Sequence, residues 1–544
     1  MPIRRILSLF VQPATAVFLS LALALPASAA PVHGGDLKWV IDREATSLVP
    51  LNSPTFAAQL IGTKIFDGLL SYDEQMRPQP QLATRWQLSP DGLSYTFDLQ
   101  PGVRWQDGRP FTSEDVAFSI LRLKQAHPRG RLTFAAVTAV ETPSPLQVIV
   151  RLSKPTPYLL SAFAATESPI VPKHLYENLP PAKNPPAAAI VGTGPFQLKE
   201  WVRGQHVILE RNPNYWQSGK PYLDRILIEF SQDAVARIAG FEARRFDIGY
   251  DGVVPVTEVE RLRQVPHLSV ENRPALYQAS HRELAFNLDH PYVSDARVRK
   301  AIAHALNLEL FQKLVYLGHA QIAPSPISAR VPAFHDPAIQ PYRYDTARAN
   351  HLLDEAGYPR QANGWRFRLK LLNNPANDPK SADFIRQALR AVGIDVDVSL
   401  SDQPTYIRRV YTDRDFDLAI DALSNTFDPA LGVHRVFLSR SFQIGLPFSN
   451  PSHYSNPKID ALLDQAAHES DLARRQALYK TLQTTVHDEL PVLDLVDPPA
   501  FVVKNRAVRG ELRGELRGAH GLYWNFADTY IEPPGTAKAS GDPS

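Results

Sequence analysis

The 544-residue chain contains no cysteine. Disulfide scaffolding, thiolate metal sites and the acylated cysteine of a lipoprotein anchor are therefore excluded. Its 16 histidines are dispersed, with no His-Glu-x-x-His pair and no histidine one helical turn from another, so no metal site is expected. Net charge is nearly absent too, at 58 Lys and Arg against 56 Asp and Glu. Loss of Arg4 and Arg5 with an N-terminal leader would balance them at 56 each. A nucleic-acid partner, which calls for a basic excess, is not expected. Beyond Leu25 no stretch approaches the ~18 consecutive apolar residues of a membrane span. Gly192-Thr193-Gly194 has Gln197 where a dinucleotide fingerprint needs glycine, and Gly219-Lys220 runs into Pro221 without the phosphate-loop glycine. No Gly-x-Ser-x-Gly elbow occurs. No catalytic residue and no cofactor are assigned.

What is present begins with the N-terminus. Arg4 and Arg5 precede an apolar stretch from Ile6 to Leu25, broken at Gln12-Pro13, and Ala27-Ser28-Ala29 supplies small residues for cleavage. Residues 1–29 read as a secretory signal, with cleavage after Ala30 as the alternative. With no lipobox, the expected location is the periplasm of a Gram-negative cell. The remaining ~515 residues exceed what one hydrophobic core organises, so two or three domains are expected. Asp224 to Phe230 reads as a strand and Asp233 to Phe241 as a helix, an alternation that indicates a mixed α/β class. Proline clusters at 180–181 and 185–186 mark loops, and 535–544 read as a disordered tail.

Several segments carry local signals. Asp91-Gly92 is a turn, and Tyr95, Phe97 and Leu99 alternate onto one strand face, which predicts a hairpin. Thr112-Ser113-Glu114-Asp115 has the spacing of a helix N-terminus. Gly357 follows Leu352, Leu353 and Ala356 at a helix end, and Pro359 forbids continuation. Arg297 and Arg299 sit on a helix whose Val298, Ala301, Ile302 and Ala305 point inward, so both are expected on a solvated or salt-bridged face. The tandem Arg509-Gly510-Glu511-Leu512-Arg513-Gly514-Glu515-Leu516-Arg517-Gly518 reads as a charged loop.

Read together, the blocks form an ordered series. It runs through Ile65-Phe66-Asp67-Gly68-Leu69, Gly102-Val103-Arg104-Trp105-Gln106-Asp107-Gly108, Gly192-Thr193-Gly194-Pro195-Phe196 and Arg211-Asn212-Pro213-Asn214-Tyr215-Trp216. Asp295-Ala296-Arg297-Val298-Arg299, Leu352–Tyr358, Asp428-Pro429 and Tyr454-Ser455-Asn456-Pro457 continue it. The series resembles the oligopeptide/dipeptide/nickel-binding family (family 5) of ABC-transporter periplasmic solute-binding proteins. That resemblance implies an α/β, bilobed periplasmic-binding-protein fold, a class II-like clamp with an additional subdomain in the first lobe. The first lobe is expected at 31–280 plus 500–534, with the subdomain at about 70–188, and the second at 281–499. Crossovers are expected at Ala279 to Leu284 and Leu493 to Val503.

The implied function is capture of peptides or peptide-like solutes by hinge closure and delivery to ABC-transporter permease subunits, by a monomer that performs no chemistry. A non-peptide solute such as an opine, a sugar conjugate or chelated nickel is the alternative, and a secreted hydrolase is less well supported. Ligand contacts are assigned by position to Thr46, Ser47, Asn425, Phe427, Asp428 and Arg435, with His434 and Tyr523-Trp524 as further lining candidates. In peptide-binding relatives an acidic residue shortly before the Asp-Pro block pairs with the peptide ammonium group. Asn425 occupies the matching position here, which replaces a charge-assisted bond with a neutral one and makes ordinary free-amine peptides less secure. Asp421 and Asp428 are alternative anchors.

Overall fold

The computed structural model describes residues 31–53, 55–127, 129–180, 183–426, 428–510 and 520–533. The segment 1–29, the tail 535–544, Phe427 and most of the tandem 509–518 lie outside the described residues.

The chain enters through β1 (Asp36–Ile41), whose Leu37, Trp39, Val40 and Ile41 are buried on both faces. Such a strand belongs in the middle of a sheet. An antiparallel subdomain follows, built from β2 (Ala83–Leu88), β3 (Ser94–Leu99), β4 (Val137–Ser144) and β5 (Gln147–Leu152), in the order β2-β3-β5-β4. The hairpin read from Asp91-Gly92 is present. Gly92 has φ +71°, the Asp91 carboxylate accepts from Leu93 N at 2.9 Å, and Tyr95, Phe97 and Leu99 face the core. The helix Ser113–Ala126 starts at a capping box in which Asp115 accepts from Thr112 N at 2.9 Å, an arrangement worth ~1 kcal/mol.

The chain then returns through β6 (Phe196–Val202), β7 (His206–Arg211), β8 (Arg225–Phe230), β9 (Ile248–Tyr250) and β10 (Leu268–Asn272). The second lobe holds β11 (Gln278–Phe286), β12 (Gln321–Ile322), β13 (Phe367–Asn373), β14 (Ile394–Leu400), β15 (Leu418–Thr426) and β16 (Val492–Asp497), ordered β12-β16-β11-β15-β13-β14. Finally β17 (Phe501–Asn505) inserts antiparallel between β9 and β10, completing a first-lobe sheet ordered β10-β17-β9-β1-β8-β7-β6. The bilobed α/β architecture implied by the sequence is the one observed.

The chain crosses between the sheets at residues 273–277 and 498–500. Ala279 to Leu284, read as the first crossover, instead form rungs of β11 paired with β15. The polar run Ser280-His281-Arg282-Glu283 looks like a connection because its partners are distant in sequence. A second correction concerns Arg299. Arg297 is exposed and paired with Asp295 at 2.6 Å, but Arg299 is buried and donates to the carbonyls of Glu489, Leu490, Val293 and Ser294 at 2.6–2.9 Å. It thereby satisfies carbonyls at the end of the helix Leu472–Glu489, which has no further intrahelical donors to offer them.

One apolar cluster runs from Trp39 and Phe66 in the first lobe to Tyr411, Leu463 and Tyr479 in the second, so the lobes are packed against one another. Tyr277 OH donates to Ser161 O at 2.6 Å, and His468 Nδ1 lies 2.7 Å from Pro155 O.

The Gly192–Phe196 block has a steric cause. Gly194 N donates to Ile65 O at 2.8 Å and Phe196 N to Lys64 O at 3.0 Å, which brings the two backbones together. A Cβ on Gly192 would lie 1.8 Å from Ile65 O, whereas one on Gly204 meets nothing within 4 Å. We expect Gly192→Ala to lower unfolding free energy by ~3 kcal/mol in urea titration. Gly204→Ala, which carries only the cost of its positive φ, should lower it by ~1 kcal/mol. Equal losses would refute the close-approach account.

Candidate functional site

The space between the lobes is lined from both sides near the crossovers. On the second lobe, β11 presents Arg282, whose Nη1 donates to Ser280 Oγ at 2.6 Å, and Arg330 donates through Nη2 to Pro498 O at 3.0 Å. On the first lobe, Asp251 follows β9 at φ +36°, held by a bond from its N–H to Phe501 O at 3.0 Å. Arg43 follows β1, pairs with Asp42 at 2.6 Å and lies over Phe56 at 5.7 Å. Phe56, Tyr250 and Tyr523 form an aromatic group with centroids 5.9–6.2 Å apart.

Charges act across this space. Burial raises the Asp251 carboxyl above its usual range, opposed by the nearby Arg282, Arg43 and Arg330. Burial lowers Arg330, opposed by Asp497, Tyr250 and Asp251. A second group lies further along. Arg129 pairs with Glu167 at 2.7 Å on the first lobe, and Arg435 faces it from the second. Burial, then the Arg129 charge, lowers Arg435, while Tyr411, Asp421 and Glu167 oppose the shift. Tyr523 feels both groups, Asp251 and Arg43 on one side and Arg129 on the other. Asp251, Arg282, Arg330, Arg435 and Tyr523 all keep open surface. Yet burial dominates the ionisation of Asp251, Arg330, Arg435 and Tyr523. Side chains that retain accessible surface while enclosed by protein line a cleft.

The residues singled out from sequence fall in different settings. Asn425 lies on β15 opposite Ala279, beside the first crossover. Arg435 is half-buried in the cleft group, with Nε donating to Gly432 O at 3.1 Å. Asp428 is buried, and both its oxygens accept from Arg475, at 2.7 and 2.8 Å. It also caps a short helix through Ala430 N at 3.0 Å, so its charge is engaged inside the lobe. His434 is buried against Tyr479 OH at 2.9 Å, and burial pushes it down to about 3, so it is neutral and carries no charge for an anion. Thr46 is exposed and its carbonyl accepts from Asn184 at 2.9 Å. The buried Ser47 hydroxyl accepts from Val49 N at 3.1 Å. Trp524 is buried against His520. Sequence reasoning missed Arg129, Asp251, Arg282 and Arg330. A usable signal existed for Arg282: four consecutive polar residues inside a segment ending Leu284-Ala285-Phe286.

One cluster has metal-ligand chemistry. His281, Glu283 and Asp494 place candidate ligand atoms within 4.8 Å of one another. Both imidazole nitrogens are already engaged, by Asp494 at 2.8 Å and Asp497 at 2.8 Å, so the arrangement is an ion-paired bridge between β11 and β16. Burial opposes the charged imidazole, but the two carboxylates outweigh it and His281 is pushed up to about 10. Glu283 faces Asp494 and Asp421 on the neighbouring strands; burial, reinforced by the Asp494 charge, holds its carboxyl well above the usual range.

Two outcomes follow. Asp428→Ala should cost ~3–5 kcal/mol of stability by leaving Arg475 buried and unpaired, read by urea unfolding. A loss of ligand affinity without loss of stability would place Asp428 at the ligand instead. His281 has a folded pKa above its ordinary 6.5, so its stabilisation is complete below about pH 6.5 and disappears as pH rises towards 10. The stability gap between wild type and His281→Gln should therefore shrink over that window; a gap that widens would contradict the ion-paired assignment.

No helix among the described residues is long and apolar enough to cross a membrane. Residues 77–442 match the family model described as bacterial extracellular solute-binding proteins, family 5 middle. A Brucella ovis protein named as an ABC transporter peptide-binding protein is 30% identical over 442 residues, covering 78% of this chain and 80% of its own. The glutathione-binding protein GsiB of Pectobacterium atrosepticum is 27% identical over 483 residues, covering 86% and 89%. Among solved structures, the periplasmic binding protein DppA of Helicobacter pylori in complex with the peptide STSA superposes with TM-score 0.78 at 25% identity, covering 92% of this chain and 99% of that one. The chain belongs to the family 5 bacterial extracellular solute-binding proteins of ABC transporters.

Proposed function

We propose that the chain captures peptides or peptide-like solutes in the periplasm, between its two lobes, and hands them unchanged to the permease subunits of an ABC importer. The observation that carries this reading is the composition of the cleft: charged groups of both signs, from both lobes, flank the aromatic group of Phe56, Tyr250 and Tyr523. A peptide-like solute offers matching chemistry in its charged groups, amides and side chains. The names of the Brucella and Pectobacterium relatives support the same class. Closure would proceed by rotation at 273–277 and 498–500, short segments that can absorb backbone change while each sheet stays rigid. Desolvation of the enclosed solute then supplies affinity, and the closed form is what the permease would recognise.

Asn425 is proposed as a ligand contact on its position beside the first crossover, and Phe427, outside the described residues, on the family resemblance alone. The direct test is mass spectrometry of natively purified protein with its ligand released by denaturation. Peptides or amino-acid conjugates are expected, and a single sugar-like or metal-chelate species would overturn the reading. If Asn425 lies at the solute's ammonium group, Asn425→Asp tightens binding of free-amine peptides at least several-fold by calorimetry. No gain would mean that the ammonium anchor lies elsewhere in the cleft.

A further inference from the structure

Most charged groups around the cleft already have partners within the protein. Arg43 is paired with Asp42, Arg129 with Glu167, and His281 with Asp494 and Asp497. Asp421 accepts from Asn374 Nδ2 at 2.9 Å and from the Tyr411 hydroxyl. These groups carry an excess of two carboxylates, at His281 and at Asp421, but each of those carboxylates is already hydrogen-bonded within the protein. The groups left over are unequal. Arg282, Arg330 and Arg435 have no carboxylate of the described residues within the 4.0 Å of an ion pair, and neither does Asp251 have a cation there. Moreover, Arg282 Nε and Arg330 Nη1 are buried without a hydrogen-bond acceptor among the described residues. A guanidinium cannot relieve this by deprotonation, and a buried charge left unpaired is costly. Three guanidiniums and one carboxylate therefore face the cleft with interactions to give.

The positions refine the match. Arg282 and Arg330 lie close enough to Asp251 for their charges to act on it, as a cationic pair beside one carboxylate. Arg435 belongs to the other group, beyond Tyr523, with Arg129 and Glu167. An ammonium and a carboxylate carried on neighbouring atoms would satisfy the first group, and a second carboxylate would satisfy Arg435. Guanidinium forks suit carboxylates because two parallel N–H donors meet two oxygens.

We propose that the solute is an acidic, amino-acid-derived molecule with one ammonium group and at least two carboxylates, the ammonium on Asp251, one carboxylate on Arg282 and Arg330, and the other on Arg435. This assignment rests on the reading of the interlobe cleft as the ligand site and deepens it. It also assigns Asp251 as the ammonium partner that Asn425 cannot be.

The test is calorimetry on the mature full-length protein, stripped of endogenous ligand by denaturation and refolding, with γ-Glu-Gly, Ala-Ala and Lys-Ala as probes. The γ-Glu-Gly probe should bind at least 10-fold tighter than the other two. Arg282→Gln and Arg330→Lys should each weaken it at least 10-fold and remove its advantage over Ala-Ala, and wild-type affinity for it should fall as salt rises. That salt dependence keeps the proposal open to refutation if a variant fails to fold. Equal or tighter binding of Ala-Ala or Lys-Ala would overturn the charge assignment and leave the peptide reading intact. If no probe binds, the molecule released from native protein decides. A non-peptide with an ammonium group and two or more carboxylates would uphold the charge assignment and overturn the peptide reading, and a molecule lacking either feature would overturn the assignment.

Discussion

The molecule depends on two antiparallel pairings placed side by side. Asn272 pairs with Phe501 at one end of β10 and β17, and Arg282 pairs with Val496 on β11 and β16. Because the strand leaving the first lobe neighbours the strand returning to it in each sheet, the two crossovers lie together. Two adjacent short connections permit rotation about one axis and resist twisting or separation. His281, bridging Asp494 and Asp497, fastens the second-lobe side of that arrangement immediately before the return crossing. The first group proposed for the cleft, Asp251 with Arg282 and Arg330, lies beside these crossovers, where both lobes are at hand.

Charged side chains sort into two populations by the company they keep. Asp428 with Arg475, and Arg299 with four carbonyls, are enclosed within the second lobe and hold its helices in register. Removing either partner would strand the other in a medium of low polarity. Arg282, Arg330 and Asp251 sit where two lobes meet, and their interactions inside the protein are incomplete. Incomplete pairing at the meeting of the two lobes, more than charge or burial alone, marks Arg282 and Arg330 as groups available to a solute.

Local features were legible in the sequence because their causes lie within a few residues. The Asp91-Gly92 hairpin, the Thr112–Asp115 capping box and the Gly357 helix stop, at φ +88°, each follow from turn chemistry or capping. Roles that depend on distant partners were not. Arg475 lies 47 positions from Asp428, and Leu490 lies 191 from Arg299. No local pattern announces either contact, which is why Asp428 read as a ligand group and Arg299 as a solvated one. The first crossover was displaced for the same reason: the polar run 280–283 finds its partners on β15 and β16, more than a hundred residues away.

The sequence by itself determined the family, the alternation of strands and helices, and the bilobed class, because those are written in motif order and periodicity. Only the tertiary structure decided which charges remain available. That property belongs to pairs of residues far apart in the chain, and it emerges when β11 and β15 are brought opposite the loop after β9, leaving Arg282, Arg330 and Arg435 without an acid of their own among the described residues.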